Sequence, residues 1–312
     1  MIDEESLFYY IINEEVDSLD NYLNSNNSDY SLSSFPEGFT IFGHFPIPLV
    51  SVASFFQCNT CLRRMLEFGI SPFQFDFCGS TPIHAAALSN NIEAAELLVS
   101  FQLDINLVDS RGSSALHIAC QKGYQLFVSF LINCGAELNL VDNRGQTPLF
   151  LAASRKFPDI VELLVGFGAD YQIKDTFLNS PLHVAIQNGS IQAAFFLLSL
   201  GGPSIDMKNQ RDSTVLHEAA LLGDVDLFKA IMDCGANPTL CNADNLNILH
   251  LSVISRQYYM IKHILDGNFV PVESLSRSLL SPLHYAALYG PIECFSLLLF
   301  KSAKNINDIR VK

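Results

Sequence analysis

Apolar and polar positions recur along this chain in blocks of similar layout. A block opens with a hydroxyl-bearing residue, then proline or an aliphatic residue, then a short apolar run, as in Thr81-Pro82-Ile83-His84-Ala85-Ala86-Ala87. A turn marked by glycine follows, at Lys122-Gly123, Asn188-Gly189, Leu222-Gly223 and Tyr289-Gly290. The next stretch carries apolar residues at helical spacing, such as Ile160, Val161, Leu163, Leu164 and Val165. It stops at Gly69, Gly135, Gly168 or Gly235, where glycine suits the left-handed conformation that ends a helix. Asp76-x-x-Gly79, Asp109-x-x-Gly112 and Asp142-x-x-Gly145 then read as tight turns, with Asp accepting backbone bonds and Gly closing. The pattern predicts two helices and a turn per block.

The blocks are in strict register. Segments equivalent to Thr81–His84 are Ser114-Ala115-Leu116-His117, Thr147-Pro148-Leu149-Phe150, Ser180-Pro181-Leu182-His183, Thr214-Val215-Leu216-His217, Asn247-Ile248-Leu249-His250 and Ser281-Pro282-Leu283-His284. A degenerate copy is Ile47-Pro48-Leu49-Val50, and every step between copies is 33 or 34 residues. The leading Thr or Ser can accept from the amides of the opening turn. Proline is tolerated just after it because that amide has no helical partner to lose.

This period and motif resemble the ankyrin repeat. The resemblance covers roughly residues 47–300 and implies an all-α fold, an ankyrin-repeat solenoid of helix-turn-helix pairs with short β-hairpin fingers. Eight repeats are expected over 47–300. Residues 1–30 read as an N-terminal helical cap, with Leu7, Tyr10, Ile11, Val16, Leu19 and Leu23 turned inward and an acidic outer surface. Residues 31–46 form an irregular insertion. Residues 301–312 are a C-terminal tail that begins as a further finger would, over the apolar Leu297, Leu298 and Leu299. A length of 312 residues suggests about two globular domains, but a repeat array grows in one dimension and has no single core to fill.

Composition narrows the partners. The net charge is −14, and nine carboxylates precede the first basic residue, Arg63, leaving −5 for the rest. Such a chain repels phosphate backbones, so neither nucleic acid nor an anionic membrane is expected as a partner. The acidic N-terminus lacks the basic start of a signal peptide, and the expected location is cytoplasmic. The eight cysteines show no framework spacing and read as reduced thiols filling small core sites.

Candidate chemistry is sparse. Six histidines share one repeat position, which spaces them a repeat apart instead of gathering them. The resemblance implies a structural, hydrogen-bonding role for them, and Phe150 predicts that the fourth repeat lacks that link. Cys58-x-x-Cys61 has metal-ligand or redox spacing, but zinc would need two more ligands, and only Cys78 and His84 lie near in sequence. His217-Glu218 lacks the following histidine of a metalloprotease helix. No catalytic residue, metal or cofactor is expected.

The resemblance implies partner binding through finger tips and exposed residues of the first helices. The matching positions include Phe77, Arg111, Lys122, Arg144, Arg155, Phe177, Arg211, Leu222, Ile254 and Tyr289. Arginine presents a fork of donors suited to carboxylates. The expectation is a non-enzymatic scaffold or adaptor, a monomer, with a groove basic over the middle repeats and apolar toward the C-terminus. It would take another protein or an extended peptide. The alternatives are the targeting module of a larger enzyme or channel, and a redox or small-molecule enzyme using Cys58 and Cys61.

Overall fold

The computed structural model describes residues 4–25, 31–32, 47–201 and 205–310. The chain forms two compact units, one of residues 1–152 with 163–170, the other of 153–162 with 171–312. In the first unit, α1 (Glu4–Ile12) and α2 (Val16–Ser25) pair, and β1 (Ser31–Leu32) follows. Then come β2 (Ile47–Pro48), α3 (Leu49–Phe55), α4 (Asn59–Glu67), α5 (Pro82–Ser89), α6 (Ile92–Ser100), α7 (Ala115–Lys122) and α8 (Gln125–Asn133). The pair α9 (Pro148–Ser154) and α10 (Pro158–Gly166) spans the division. The second unit continues with α11 (Pro181–Gln187), α12 (Ile191–Ser199), α13 (Val215–Leu222), α14 (Val225–Asp233), α15 (Ile248–Ile254), α16 (Tyr258–Asp266), α17 (Pro282–Tyr289) and α18 (Ile292–Arg310).

Within each unit the first helices stack on first helices and the second on second. In the first unit α3 lies on α5 and α5 on α7; in the second the order is α11, α13, α15, α17. Small side chains permit this approach. Ala86, Ala87, Ala119 and Cys120 in the first unit, and Ala185, Ala219 and Ala220 in the second, are all fully buried. Larger residues of the second helices fill the space behind them, including Phe127, Val128 and Leu131, and Leu227, Phe228 and Ile231. A lone pair could not bury its apolar face in this way, so each stabilises its neighbours. At the N-terminal end α1 packs on α3 and α2 on α4. Phe8 meets Phe56 edge-on at 5.4 Å, and Arg64 Nε donates to Asp20 at 2.7 Å.

Every first helix with a motif histidine is capped reciprocally. In the capping box the N-cap side chain accepts from the third helical amide, and the third side chain reaches back to the N-cap amide. Here histidine fills the role usually held by Glu or Gln. His84 Nδ1 accepts from the Thr81 amide at 3.1 Å, and the same arrangement holds at Ser114, Ser180, Thr214 and Ser281, whereas at the Asn247 cap the acceptor Oδ1 itself lies 2.8 Å from His250 Nδ1. With Nδ1 accepting, the ring proton sits on Nε2, which donates onward to the next repeat. His84 reaches the Ser113 carbonyl at 2.9 Å, His117 that of Gln146 at 3.1 Å, His217 that of Leu240 at 3.1 Å and His250 that of Leu280 at 3.2 Å. Phe150 keeps half of the device: its amide donates to Thr147 Oγ1 at 3.1 Å, but its ring can return nothing.

The fingers are hairpins closed by backbone and side-chain bonds together. The Asp76 amide donates to the Ser80 carbonyl at 3.0 Å and its carbonyl accepts from Gly79 at 2.9 Å, a pair repeated at Asp109 and Asp142, and Val108 bridges to Ser114. Asp76 Oδ1 accepts two further amides, of Cys78 and Ser80, both at 2.8 Å. Two features differ from expectation. The 31–46 stretch is not wholly irregular, because Ser31–Leu32 pairs antiparallel with Ile47–Pro48; residues 33–46 lie outside the described residues. Among the described residues no finger begins after residue 300: α18 runs on to Arg310, and Ser302 stands where Gly135 and Gly235 end their helices with φ of 87°.

Burial pushes the motif histidines His84, His117 and His250 below their ordinary pKa, and His183 and His217 down to about 4. The unfolded chain therefore takes up more protons as pH falls, so this stability is complete above about pH 6.5 and is lost on the way to about pH 4. The thermal midpoint is expected to hold between pH 8 and 7 and to fall steeply below 6. His217→Phe should lower it at pH 7, by about 1–3 kcal/mol of stability, and make the acid limb shallower. Calorimetry against pH checks this, and an unchanged acid limb in the variant would count against the account.

Candidate partner-binding surface

The finger tips are fixed before any partner arrives. Asp109 Oδ1 accepts from the amides of Arg111 and Ser113, and Asp142 Oδ1 from those of Arg144 and Gln146, at 2.8–2.9 Å. Adjacent tips are joined by backbone bonds: Ser110 donates to the Cys78 carbonyl and Asn143 to that of Arg111, both at 2.8 Å. Glycine is required at Gly112, where φ is +75° and an added Cβ would lie 3.1 Å from the Asn143 amide. In the second unit Gln210 donates to the Phe177 carbonyl and Ala243 to that of Arg211, both at 2.9 Å.

In the first unit these bonds bring Arg111, Arg144, Gln121 and Asn143 around a polar recess of about 590 Å³, with His117 at its floor. Both arginines are exposed. The nearest acidic side chains, Asp109 and Asp142, spend an oxygen on their own fingers, and among the described residues neither guanidinium forms a salt bridge. Lys122 is exposed at the end of α7 but does not line the recess, and Phe77 is exposed on the preceding finger. Phe73 and Phe75, which sequence reasoning passed over, are exposed beside it at alternate positions.

The second unit carries the other candidates. Arg155 is exposed, and the neighbouring Lys156 Nζ approaches Gly189. Phe177 and Arg211 are exposed at finger tips. The apolar residues divide: Tyr289 is exposed together with Leu288, whereas Leu222 and Ile254 are half-buried. Leu222 lies against Gly189.

Glu218 is a site residue that sequence reasoning passed over except as a failed zinc motif. It is buried at a position where the other repeats place Ala85, Ile118, Leu151, Val184, Leu251 and Tyr285. The signal was that one charged residue in an apolar column. Burial raises its pKa, partly offset by a hydrogen bond from Gln187 and by the Arg211 charge.

Cys58 and Cys61 are buried, and burial with the negative field of Glu14 pushes their thiols up to about 12 and about 11. Among the described residues no group of three or more His, Cys, Asp or Glu side chains is placed to hold a metal ion. His263 packs edge-on against Phe228 at 5.8 Å. No helix among the described residues is long and apolar enough to cross a membrane.

Stacked helical pairs with tied fingers and reciprocal histidine caps define a repeat protein. A family model described as ankyrin repeats (3 copies) matches residues 49–142, 126–212 and 216–310. The chain belongs to the ankyrin-repeat family and has its all-α solenoid fold. Ankyrin repeats are generally protein–protein interaction modules. The chain is 28% identical over 136 residues to the mouse B-cell lymphoma 3 protein homolog, covering 42% of this chain and 30% of that protein. It is 28% identical over 122 residues to the tyrosine-protein kinase Shark of Drosophila melanogaster, covering 39% of this chain and 13% of that one. A putative ankyrin repeat protein of fowlpox virus is 26% identical over 115 residues, 37% of this chain and 26% of its own length. The alignments thus span less than a third of each relative.

A buried, raised carboxylate costs stability wherever it must be ionised. That cost is complete above the folded pKa and disappears below about 4.5, the value it starts from. Glu218→Gln is therefore expected to raise the thermal midpoint at pH 7 by a few degrees, with the advantage shrinking toward pH 5. A lower midpoint in the variant at pH 7 would instead make the Arg211 attraction the larger effect.

Proposed function

We propose that this chain is a non-enzymatic scaffold or adaptor that binds an acidic segment of a partner protein on the finger tips and first-helix ends of its first unit. The observation that carries the reading is the pair Arg111 and Arg144, two exposed guanidiniums without a salt bridge, held by tied fingers around a polar recess in a protein of net charge −14. Maintaining such a pair among so many carboxylates favours a partner that supplies the missing negative charge, which forked donors bind well. Phe77, beside Phe73 and Phe75, adds an apolar edge suited to a hydrophobic residue next to the acidic ones. In the second unit, Tyr289 and Leu288 with Phe177 and Arg211 offer a separate, more apolar face. The expected setting is cytoplasmic, with the chain acting as a monomer.

A second reading is supported by the fly relative, whose name includes a kinase. There the chain would be the targeting module of a larger enzyme or channel, with the same surface as its address. Intact mass of the endogenous protein separates the two.

Affinity purification with the full chain, followed by titration of the recovered partner, tests the proposal. Arg111→Glu with Arg144→Glu is expected to weaken binding about tenfold or more, mostly at low salt, while Lys262→Glu leaves it unchanged. Affinity for the double variant within about twofold of the parent would remove the basic recess from the account.

A further inference from the structure

The helical stack of the second unit ends on a face built like the faces inside it. There α13 lies on α11, α15 on α13 and α17 on α15, with α14, α16 and α18 stacked in the same order behind. Each inner layer is sealed by the next. Ile186, Ala220 and Val253 share one register position of the first helices and are 0% exposed, as are Ala194, Phe228 and Ile261 at one position of the second helices. Phe228 meets His263 of the following layer edge-on at 5.8 Å, so this column faces along the stack. In the last layer the equivalents are open: Ala287 is exposed and Phe295 half-buried, and Leu299 is 48% exposed where Leu265 is 2%.

A directional group lies on the same face. His217 is 1% exposed, and its Nε2 donates to the Leu240 carbonyl of the following repeat at 3.1 Å. His284 holds the same position but is exposed. Its Nδ1 accepts from the Ser281 amide at 3.1 Å and lies 2.7 Å from the Ser281 hydroxyl, so the ring proton is on Nε2. Among the described residues no carbonyl receives it.

The face therefore continues an interface the chain already uses, without the layer that would close it. Repeat arrays ordinarily end on polar capping surfaces, because stacking faces are apolar. The opposite end follows that rule, with Glu14, Glu15 and Asp17 exposed around α1 and α2. What closes such a face inside the chain is a helix opening: α7 lies on α5, and the Ser113 carbonyl just before its cap takes the His84 proton at 2.9 Å.

We propose that the end face of α17 and α18 docks a helix of a partner protein, laid on α17 as α17 lies on α15. Small apolar side chains of that helix meet Ala287 and Phe295, and the carbonyl before its cap receives the His284 Nε2–H. The site is separate from the finger-tip recess and takes an apolar helix, where the recess takes an acidic segment.

The probe is a peptide of residues 113–123, the segment that closes α5, stapled as a helix on its far side. Titrated into the full chain, it is expected to give saturable shifts at the Leu283, Ala287 and Leu299 methyls and at the His284 ring nitrogens. Ala287→Arg, at an exposed position, should weaken binding about tenfold or more by blocking the contact. His284→Phe, the ring that Phe150 already carries, should weaken it about fivefold, the worth of one modest hydrogen bond. No saturable shift, or affinity unchanged in either variant, would overturn the proposal. So would shifts of Ala287 and Leu299 on dilution of the chain alone, which would give the face to a second copy, or an endogenous mass with room for one more repeat, which would give it to the chain itself.

Discussion

An imidazole that accepts from its own helix cap and donates to the next repeat links two scales of structure in a single side chain. Its Nδ1 satisfies an amide that helix geometry leaves without a partner. Its Nε2–H satisfies a carbonyl that finger geometry leaves without one, as between His84 and Ser113 or His250 and Leu280. Both bonds are buried, where an unpaired group costs most. The apolar contact between helical pairs supplies most of the driving force, but it is non-directional and would tolerate sliding. The histidine fixes the register in which alanines such as Ala86 and Ala119 meet their neighbours.

The binding face follows from this division of labour. Polar atoms that hold a finger, such as Asp109 Oδ1 and Asp142 Oδ1, point back into it, and adjacent tips are tied by their backbones. Among the described residues the Arg111 and Arg144 side chains at the tips form no salt bridge, which leaves them available for recognition. Rigid tips also lower the ordering cost that flexible loops would incur on binding. The fourth repeat shows how far the device can be relaxed: Thr147 still caps its helix with Phe150 in the histidine position.

Much of this was legible in the residue pattern because each feature has a local cause. Helix pairs came from apolar spacing, starts from Ser and Thr caps, stops from glycines such as Gly135 and Gly235, and the structural role of six histidines from the family resemblance. What was not legible depends on neighbours. The burial of Glu218 is one case: a hydrogen bond from Gln187 and the charge of Arg211 partly offset its cost. The long α18 was an intermediate case, since the missing glycine at Ser302 was visible but the tail was weighed as a new finger. The hairpin fingers came from the family resemblance, and Asp and Asn side chains reinforce their backbone bonds.

The coupling of cap to neighbouring repeat is tested most directly by the ring nitrogen chemical shifts of the motif histidines in the folded protein. The account predicts that His84, His117 and His217, whose caps are hydroxyls, carry their proton on Nε2 with Nδ1 bare at neutral pH, and that they remain uncharged below the pH at which a free imidazole titrates. Protons found on Nδ1, or rings that become imidazolium near pH 6.5 without loss of the fold, would contradict it.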